Sequence, residues 1–141
     1  MGQGTLVDTN VLLDVLTEDV AWLGWSLGKL ADAAERGPLF INPIIYAEVS
    51  VRFSSAEDLD DALPAQDYRR APLPWEAAFL AGKVFSDYRR RRRPQGGSPS
   101  STLPDFFIGA HAAVGGLVLL TRDAGRYRTY FPTVQLTAPG T

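Results

Sequence analysis

Short apolar runs alternate along this chain with longer stretches of helical periodicity, and this alternation limits the possible folds more than any other feature. The strongest run is residues 117–121, where apolar residues follow a glycine pair. Strands that alternate with helices are typical of a parallel sheet covered by helices. The sequence therefore predicts an α/β fold. Its predicted strands cover residues 5–7, 39–42, 68–71, 117–121 and 133–136.

Helix boundaries are marked by residues with known capping preferences. Asn42 followed by Pro43 is typical of an N-cap and a first-turn proline, and Ser55 is placed to cap a short acidic helix. Gly115 and Gly116 end a helix that Pro104 begins. The predicted helices cover residues 11–19, 21–36, 43–53, 56–63, 75–90, 105–114 and 125–131.

The composition is that of an ordinary globular protein. The chain has 141 residues, 45% hydrophobic and 21% charged, and we expect a single domain over residues 1–141. No apolar stretch approaches the roughly 20 residues that a membrane helix needs. The absence of cysteine excludes disulfides, thiolate zinc sites and a cysteine nucleophile. Because no basic segment precedes the first apolar run, we expect no signal peptide, no membrane association and a cytoplasmic location.

Four acidic residues, called the four acids below, stand apart from other charges. They are Asp8, Glu48, Asp105 and Asp123. Asp8 and Asp123 each follow a predicted strand, and Asp105 begins a predicted helix. Each of these three has a simpler interpretation as a helix cap, a first-turn acid or a turn residue. The functional crevice of an open α/β sheet lies beyond the carboxyl ends of its strands, so these positions also predict convergence.

Glu48 is the exception among them. Its neighbours Ile44, Ile45 and Val51 are expected in the core, and a carboxylate on an apolar face costs several kcal/mol unless it is paired. Ionised carboxylates about 4 Å apart repel by roughly 4 kcal/mol per pair at an effective dielectric constant of 20, so a cluster of them needs a cation. Oxygen ligands favour Mg²⁺ or Mn²⁺. Such ions activate water and phosphodiesters, which predicts a nuclease.

Four segments, in this order, resemble the motifs of the PIN-domain ribonucleases, and among these the VapC-type toxins of bacterial toxin–antitoxin pairs. VDTNVLLD is similar to the opening strand with its first acid, and IIYAEVSVRF to the second helix. LPDFFIGAHA is similar to the third motif, and LLTRDAGRYRTYFPTVQL to the fourth motif and the tail. The resemblance covers nearly the whole chain. It implies a three-layer α/β/α fold with a central parallel sheet of about five strands.

The resemblance also implies an activity and partners. It implies a divalent-metal-dependent endoribonuclease in which the four acids are both catalytic residues and ligands of Mg²⁺ or Mn²⁺. Asn10 and Thr121 lie where family members often carry polar residues that orient metal-bound water or a carboxylate; alternatively, they are ordinary polar residues of a turn and a strand end. RNA is the implied substrate and a VapB-like antitoxin the implied protein partner. We also expect a homodimer.

Five consecutive arginines end the predicted helix at 75–90, beside a loop at 94–102 that is rich in proline, glycine and serine. They are Arg89, Arg90, Arg91, Arg92 and Arg93. A nuclease needs a cationic path for its substrate, so the run is a candidate for contacts with RNA phosphates. The alternative is a solvated basic run that favours a helix C-terminus.

Four further residues have other expected roles. Gly109 stands where the family usually has bulkier residues. His111, the only histidine, follows Asp105 by six positions, and at 3.6 residues per turn it faces about 240° away, which favours a structural role. Trp22 and Trp25 lie on an amphipathic helix and are expected in the core or on a surface that faces a partner.

Two other functions remain open. The chain could be a PIN fold that binds RNA or protein without cleaving, or an RNA-processing PIN nuclease outside the toxin group. A missing acid would favour the binding module, and none is missing. A metal titration of RNA cleavage separates an enzyme from a binding module. A neighbouring reading frame for a small protein with a DNA-binding N-terminus would identify a toxin.

Overall fold

The structure, a computed structural model, describes residues 3–92 and 101–140, with Arg92 described by its backbone alone. Its five strands are β1 (Thr5–Val7), β2 (Leu39–Ile41), β3 (Tyr68–Arg70), β4 (Val118–Leu120) and β5 (Leu136–Thr137). They form one parallel sheet in the order β3-β2-β1-β4-β5. The predicted α/β fold with about five parallel strands is therefore confirmed.

Seven helices lie in the described ranges, all of them close to predicted positions. They are α1 (Thr9–Leu16), α2 (Leu23–Arg36), α3 (Pro43–Ser50), α4 (Ala56–Ala62), α5 (Trp75–Arg92), α6 (Leu103–Gly115) and α7 (Ala124–Tyr130). Within residues 3–92 and 101–140, none combines the length and the apolar character of a membrane-spanning helix.

The path of the chain reverses at the centre of the sheet. From β1 the chain moves outward through β2 to β3, and then returns to β4 on the other side of β1. Because parallel connections are right-handed, this reversal puts helices on both faces of the sheet. It also makes the gap beyond the carboxyl ends of β1 and β4 a topological switch point, where ligands bind in open α/β sheets.

The central strand β1 and its neighbour β4 are buried on both faces. Leu6 of β1 pairs with Leu119 of β4, and neither side chain is accessible to solvent. Helices cover both faces of a parallel sheet, so its central strands are continuous apolar runs. The edge strand β3 instead carries exposed Arg69 and Arg70. This explains why β3 is the weakest strand signal in the sequence.

The predicted helix caps are present. Asn42 Oδ1 accepts a 2.9 Å hydrogen bond from the Ile45 backbone at the start of α3, and Ser55 Oγ accepts a 3.1 Å bond from the Asp58 backbone at the start of α4. Gly116 ends α6 with φ of 63°, a left-handed conformation that glycine adopts without steric cost. These local signals mark the starts of α3 and α4 and the end of α6.

The end of α3 was predicted wrongly. The helix ends at Ser50 rather than continuing to residue 53, and Val51 is 82% exposed instead of buried. The chain leaves the helix in a turn that is closed by the Arg52 backbone donating to Val49 O at 3.0 Å. This turn carries Val51 away from the face that holds the buried Ile45.

The last strand is shorter than predicted and lies nearer the C-terminus. The segment before it forms a turn, in which the Val134 backbone donates to Phe131 O at 3.0 Å. Contact with β4 starts only where the Leu119 backbone donates to Gln135 O at 2.9 Å. The strand therefore covers residues 136–137 and not 133–136.

Gly109 has a packing role. A Cβ at this position would lie 2.4 Å from two ring carbons of Phe131, so the ring packs directly against the backbone of α6. Phe131 also contacts Phe106 of the same helix, with ring centroids 6.1 Å apart. The glycine thus lets the residue that follows α7 pack against α6.

Candidate active site

Two of the predicted site residues lie side by side at the switch point. The pairing of β1 with β4 continues one residue past Val7, since the Asp8 backbone donates to Leu120 O at 2.9 Å. Thr121 follows Leu120, so the first residues beyond both strands are neighbours. The parallel register thus brings together side chains that lie far apart in the sequence.

The carboxylate of Asp8 is buried and has several hydrogen-bond donors. Oδ1 accepts from the Thr9 backbone at 2.8 Å, so Asp8 also caps α1, as the simpler interpretation of this residue expected. Oδ2 accepts from Thr121 Oγ1 at 2.7 Å and from the Tyr127 hydroxyl at 3.1 Å. Asn10 Nδ2 makes a longer contact of 3.4 Å. The carboxylate is therefore held in one orientation.

Burial governs the protonation of Asp8, which is 4% exposed. Desolvation raises its pKa to about 6, although the hydrogen bonds from Thr121, Thr9 and Tyr127 act in the opposite direction. The charge of Glu48 adds a smaller increase. The Asp8 carboxyl group therefore loses its proton at a higher pH than an exposed aspartate does.

Glu48 is joined to Asp8 through Thr9. The hydroxyl of Thr9 donates to Glu48 Oε1 at 2.6 Å, while the backbone of Thr9 donates to Asp8. The partner that Glu48 requires on its helix face is thus a hydroxyl on the first residue of α1. This contact ties α3 to the start of α1, beside the carboxyl end of β1.

Asp105 and Asp123 meet at the guanidinium of Arg126. Nη1 of Arg126 lies 3.2 Å from Asp105 Oδ1 and 3.1 Å from Asp123 Oδ2. The side chains of Arg126 and Asp105 are mostly buried, at 22% and 18% exposed, whereas that of Asp123 is 42% exposed. Two of the four acids, on different elements, therefore share one positive charge.

Further bonds fix both partners of this pair. Arg126 Nε donates to Ser101 Oγ at 2.8 Å, and the Ser101 backbone donates to the Tyr88 hydroxyl at 3.0 Å. The second oxygen of Asp105 accepts from the backbone and the hydroxyl of Thr102, at 2.8 and 3.2 Å. Asp105 thus uses one oxygen at the start of α6 and directs the other at Arg126.

Electrostatic effects connect these pairs to Asp8. The pKa of the Tyr127 hydroxyl is raised well above its ordinary value by burial, and further by the charges of Asp8 and Asp105. Burial lowers the pKa of the Arg126 guanidinium, but the charges of Asp105, Asp123 and Asp8 outweigh this effect and raise it. The Asp8 and Asp105 carboxylates therefore both act on Tyr127 and Arg126, and the region that these side chains form with Asp123 is called the crevice below.

The hydroxyl of Thr121 connects Asp8 to Asp123. Its hydroxyl donates to Asp8 and accepts a 2.9 Å bond from the Asp123 backbone. Asn10 completes the connection, because its Oδ1 accepts from the Arg122 backbone at 3.2 Å and its Nδ2 lies 3.5 Å from the Thr121 hydroxyl. Asn10 thus contacts the loop between β4 and α7, and Thr121 is the first residue of that loop.

An ion pair that no sequence pattern indicated anchors this loop. Arg122 donates two bonds to Asp14 of α1, at 2.7 and 3.0 Å, and its guanidinium lies 4.9 Å from the ring centroid of Trp22. Asp14 is 2% exposed and also accepts from Ser26 Oγ at 2.7 Å. The partners are 108 positions apart, so no spacing in the sequence could have paired them.

Trp22 and Trp25, at the start of α2, and His111 of α6 contact residues other than the four acids. Trp22 packs edge-to-face on Trp25, with centroids 5.8 Å apart, and both are half-buried. His111 is 4% exposed, and its Nδ1 lies 3.0 Å from Asn42 Nδ2. The structural role predicted for His111 is confirmed.

The arginine run is only partly described. Arg90 and Arg91 are exposed and pair with Asp87 of the same helix, at 2.9 and 3.1 Å, and exposed Arg89 lies over the ring of Phe85. The side chain of Arg92, and Arg93 with most of the predicted loop, lie outside the described residues. The three described arginines thus remain accessible from solvent.

The donor chemistry at the crevice suits a hard divalent cation. It offers carboxylate, hydroxyl and amide oxygens, and two carboxylates already converge on a positive charge. Among the described residues, no group of three or more His, Cys, Asp or Glu side chains is arranged to hold a metal ion. In this structure the Arg126 guanidinium, and not a third acid, lies between Asp105 and Asp123.

Comparisons with known proteins identify similar folds. The family model of the PIN domain matches residues 5–132. A chain of VapBC2 from Rickettsia felis, solved bound to a DNA fragment from the promoter, is 16% identical, with a TM-score of 0.66 over 96% of this chain and 98% of that chain. VapBC-1 from nontypeable Haemophilus influenzae is 17% identical, with a TM-score of 0.64 over 96% and 97%.

A toxin–antitoxin complex from Klebsiella pneumoniae is 21% identical, with a TM-score of 0.58 over 96% of this chain and 97% of that chain. No curated protein matches the sequence. At these identities the likeness to solved structures concerns the fold.

Proposed function

The chain belongs to the PIN-domain family, and from that premise we propose that it is a divalent-cation-dependent endoribonuclease that cleaves RNA phosphodiesters through its four acids. The observation that carries this proposal is the meeting of Asp105 and Asp123 at one positive charge beside the buried carboxylate of Asp8. Carboxylates gathered in one crevice repel each other strongly unless a cation balances them. The crevice lies where open α/β sheets bind ligands.

Each residue has a defined task in this proposal. Bound Mg²⁺ or Mn²⁺ supplies Lewis-acid activation of the phosphodiester and of the attacking water. Asp105 and Asp123 would hold the cation. Thr121 and Tyr127 orient Asp8, whose ionised form the charge of a bound cation would favour. Glu48, held by Thr9, would add negative charge.

The substrate would be bound through its phosphates. Arg89, Arg90 and Arg91 are exposed near the end of α5, and the two arginines that follow them extend the same positive charge. The helix that carries the run contacts the site through Tyr88, whose hydroxyl accepts from Ser101 beside Arg126. We therefore assign phosphate binding to Arg89–Arg93.

We further propose that the chain is the toxin of a toxin–antitoxin pair, with a VapB-like antitoxin as its partner. Solved toxin–antitoxin complexes of the same fold support this assignment. A basic side chain of the antitoxin would enter the acidic crevice and exclude the RNA phosphate. A homodimer in the cytoplasm completes the proposal, and the exposed pair Trp75 and Phe79 on α5 offers apolar surface for its contact.

The test is cleavage of RNA by the purified protein. We expect EDTA to abolish cleavage and Mg²⁺ or Mn²⁺ to restore it. Asp8→Asn and Asp105→Asn should reduce cleavage to background while the circular dichroism spectrum stays native. Asp61→Asn, which removes an exposed acid from α4, should cleave like the wild type. Cleavage that persists in EDTA, or full activity of Asp105→Asn, would refute the mechanism.

The toxin assignment has a separate test. The neighbouring reading frame is co-expressed with this chain, followed by affinity capture and the same cleavage assay. We expect a stable complex that is inactive, and growth arrest when the chain is expressed alone. A chain that is harmless alone and finds no partner would instead be an RNA-processing nuclease of the same family.

A further inference from the structure

Arg126 is the one described cation that contacts two of the four acids. Nη1 lies 3.2 Å from Asp105 and 3.1 Å from Asp123, and Nε is bonded to Ser101 at 2.8 Å. A guanidinium is broad, planar and always charged, so it pairs with two carboxylates at once. Its side chain is 22% exposed, which limits the solvent screening of these pairs.

We infer that Arg126 is the internal counterion of the crevice: its guanidinium takes the place between Asp105 and Asp123 that a divalent cation requires. A cation is then bound only when Arg126 withdraws, so this residue sets the cation affinity of the protein. The inference rests on the proposed function, because it concerns the cation that the proposed reaction uses.

Competition follows from the positions of the charges. The oxygens of Asp105 and Asp123 that face Arg126 are the ones that would face a shared cation, and they cannot serve both at short distance. A divalent ion and a guanidinium within a few ångströms would also repel each other.

The structure allows Arg126 to withdraw. Its third contact, with the Ser101 hydroxyl, is an uncharged acceptor and holds less strongly than the carboxylates. Arg126 lies in the first turn of α7, a helix of seven residues, and its long side chain can change rotamer without moving the backbone. Only the side chain of Arg126 therefore has to move. The carboxylates of Asp105, on α6, and Asp123, just before α7, keep their positions.

The test measures cation binding in the absence of RNA. Electron paramagnetic resonance of free Mn²⁺ gives the affinity for Mn²⁺, and calorimetry gives the affinity for Mg²⁺. Arg126→Gln removes the charge but retains a donor for Ser101, and we expect it to bind Mn²⁺ about tenfold more tightly or better. Arg126→Lys should lie between this variant and the wild type. Arg128→Gln is the matched control, because it removes an exposed charge from the same helix and should change affinity by about twofold at most.

The wild-type protein gives a second readout that needs no variant. The Arg126 Nε–H group, bonded to Ser101, should give a distinct nitrogen-15 NMR signal without cation, and saturating Mg²⁺ should shift or broaden it. This measurement stands alone if Arg126→Gln fails to fold. The inference is overturned if Arg126→Gln binds Mn²⁺ no more tightly than the wild type, or if Mg²⁺ leaves the Nε–H signal unchanged.

Failure of this inference can be told apart from failure of the proposed function. Tighter Mn²⁺ binding by Arg126→Gln without any RNA cleavage would support the counterion and contradict the nuclease. Cation-dependent cleavage with an affinity that is indifferent to Arg126 would support the nuclease and contradict the counterion.

Discussion

Thr121 Oγ1 donates a 2.7 Å hydrogen bond to Asp8 Oδ2 across 113 positions of sequence, and the same oxygen accepts from the Asp123 backbone. Thr121 is fully buried, so water cannot replace either bond. One hydroxyl at the end of β4 therefore fixes the position of Asp8 relative to the loop that begins α7. This relationship makes Thr121 a positioning residue for two acids at once.

Removal of this hydroxyl should affect both stability and activity. Thr121→Val keeps the shape but leaves Asp8 Oδ2 and the Asp123 backbone short of a partner, which should lower the free energy of unfolding by about 1–3 kcal/mol. Cation affinity or cleavage should fall about 10- to 100-fold, as for other residues that orient metal ligands. Thr121→Ser, which retains the hydroxyl, is the control for Mn²⁺ titration and urea unfolding. If Thr121→Val and Thr121→Ser had the same Mn²⁺ affinity and the same free energy of unfolding, the positioning role would be contradicted.

The pKa of Asp8 predicts a pH-dependent stability. Because its pKa is about 6 in the folded protein and 3.8 ordinarily, the folded state holds this proton more tightly than the unfolded chain does. Ionisation of Asp8 thus destabilises the fold increasingly between these values, by up to about 3 kcal/mol above pH 6 and not at all below pH 3.8.

Asp8→Asn removes this ionisation, so it should stabilise the cation-free protein. The gain in the free energy of unfolding should approach 3 kcal/mol at pH 7.5 and be roughly half as large at pH 5, measured by urea unfolding in EDTA. Asp61→Asn removes an exposed charge and should show no comparable dependence. A destabilised Asp8→Asn at pH 7.5 would mean that the hydrogen bonds to Asp8 outweigh its burial.

The fold was readable from the sequence because its signals are local. Alternating apolar and helical runs predicted the five strands and the parallel sheet, and Asn42 and Ser55 predicted two helix starts. The errors fall where local pattern conflicts with tertiary geometry. Val51 is apolar but follows the end of α3, and the turn closed by Val134 delays the start of β5.

The site was readable only in part. The four acids could be identified because each stands alone among apolar residues. The pairing of β1 with β4 explains why Asp8 lies beside Thr121. The contacts that organise the crevice join distant residues through side-chain length and rotamer, which no periodicity records. Arg126 between two acids and Arg122 on Asp14 are of this kind.

The Asp14–Arg122 pair should be strongly coupled. Asp14 is buried and Arg122 is 28% exposed, so Asp14→Asn leaves a half-buried guanidinium without its charge partner. We expect each of Asp14→Asn and Arg122→Gln to lower the free energy of unfolding, and the double variant to lower it by less than the sum. The coupling energy should be about 1–3 kcal/mol in a double-mutant cycle. Additive effects would show that the pair does not anchor the loop.

Gly109 should not tolerate a methyl group. Gly109→Ala would place Cβ 2.4 Å from the ring of Phe131, and relief of this clash should cost about 1–3 kcal/mol of unfolding free energy. Gly82→Ala is the matched control, because nothing lies within 4 Å of its Cβ position in α5, and it should stabilise by about 0.5–1 kcal/mol. Phe131→Leu should recover part of the stability when combined with Gly109→Ala. A neutral Gly109→Ala would refute the close packing.

The arginine run should act through charge. Replacement of Arg89–Arg93 with glutamine should weaken RNA binding and reduce the slope of log affinity against log salt by about 0.7–0.9 for each phosphate that the run neutralises. Thermal stability should change little, because the described arginines of the run are exposed. Replacement of the run with lysine keeps the charge and should retain most of the slope, measured by fluorescence anisotropy at several salt concentrations. If the glutamine variant kept the wild-type slope, the run would be a solvated helix end. Phosphate binding would then be assigned to other residues.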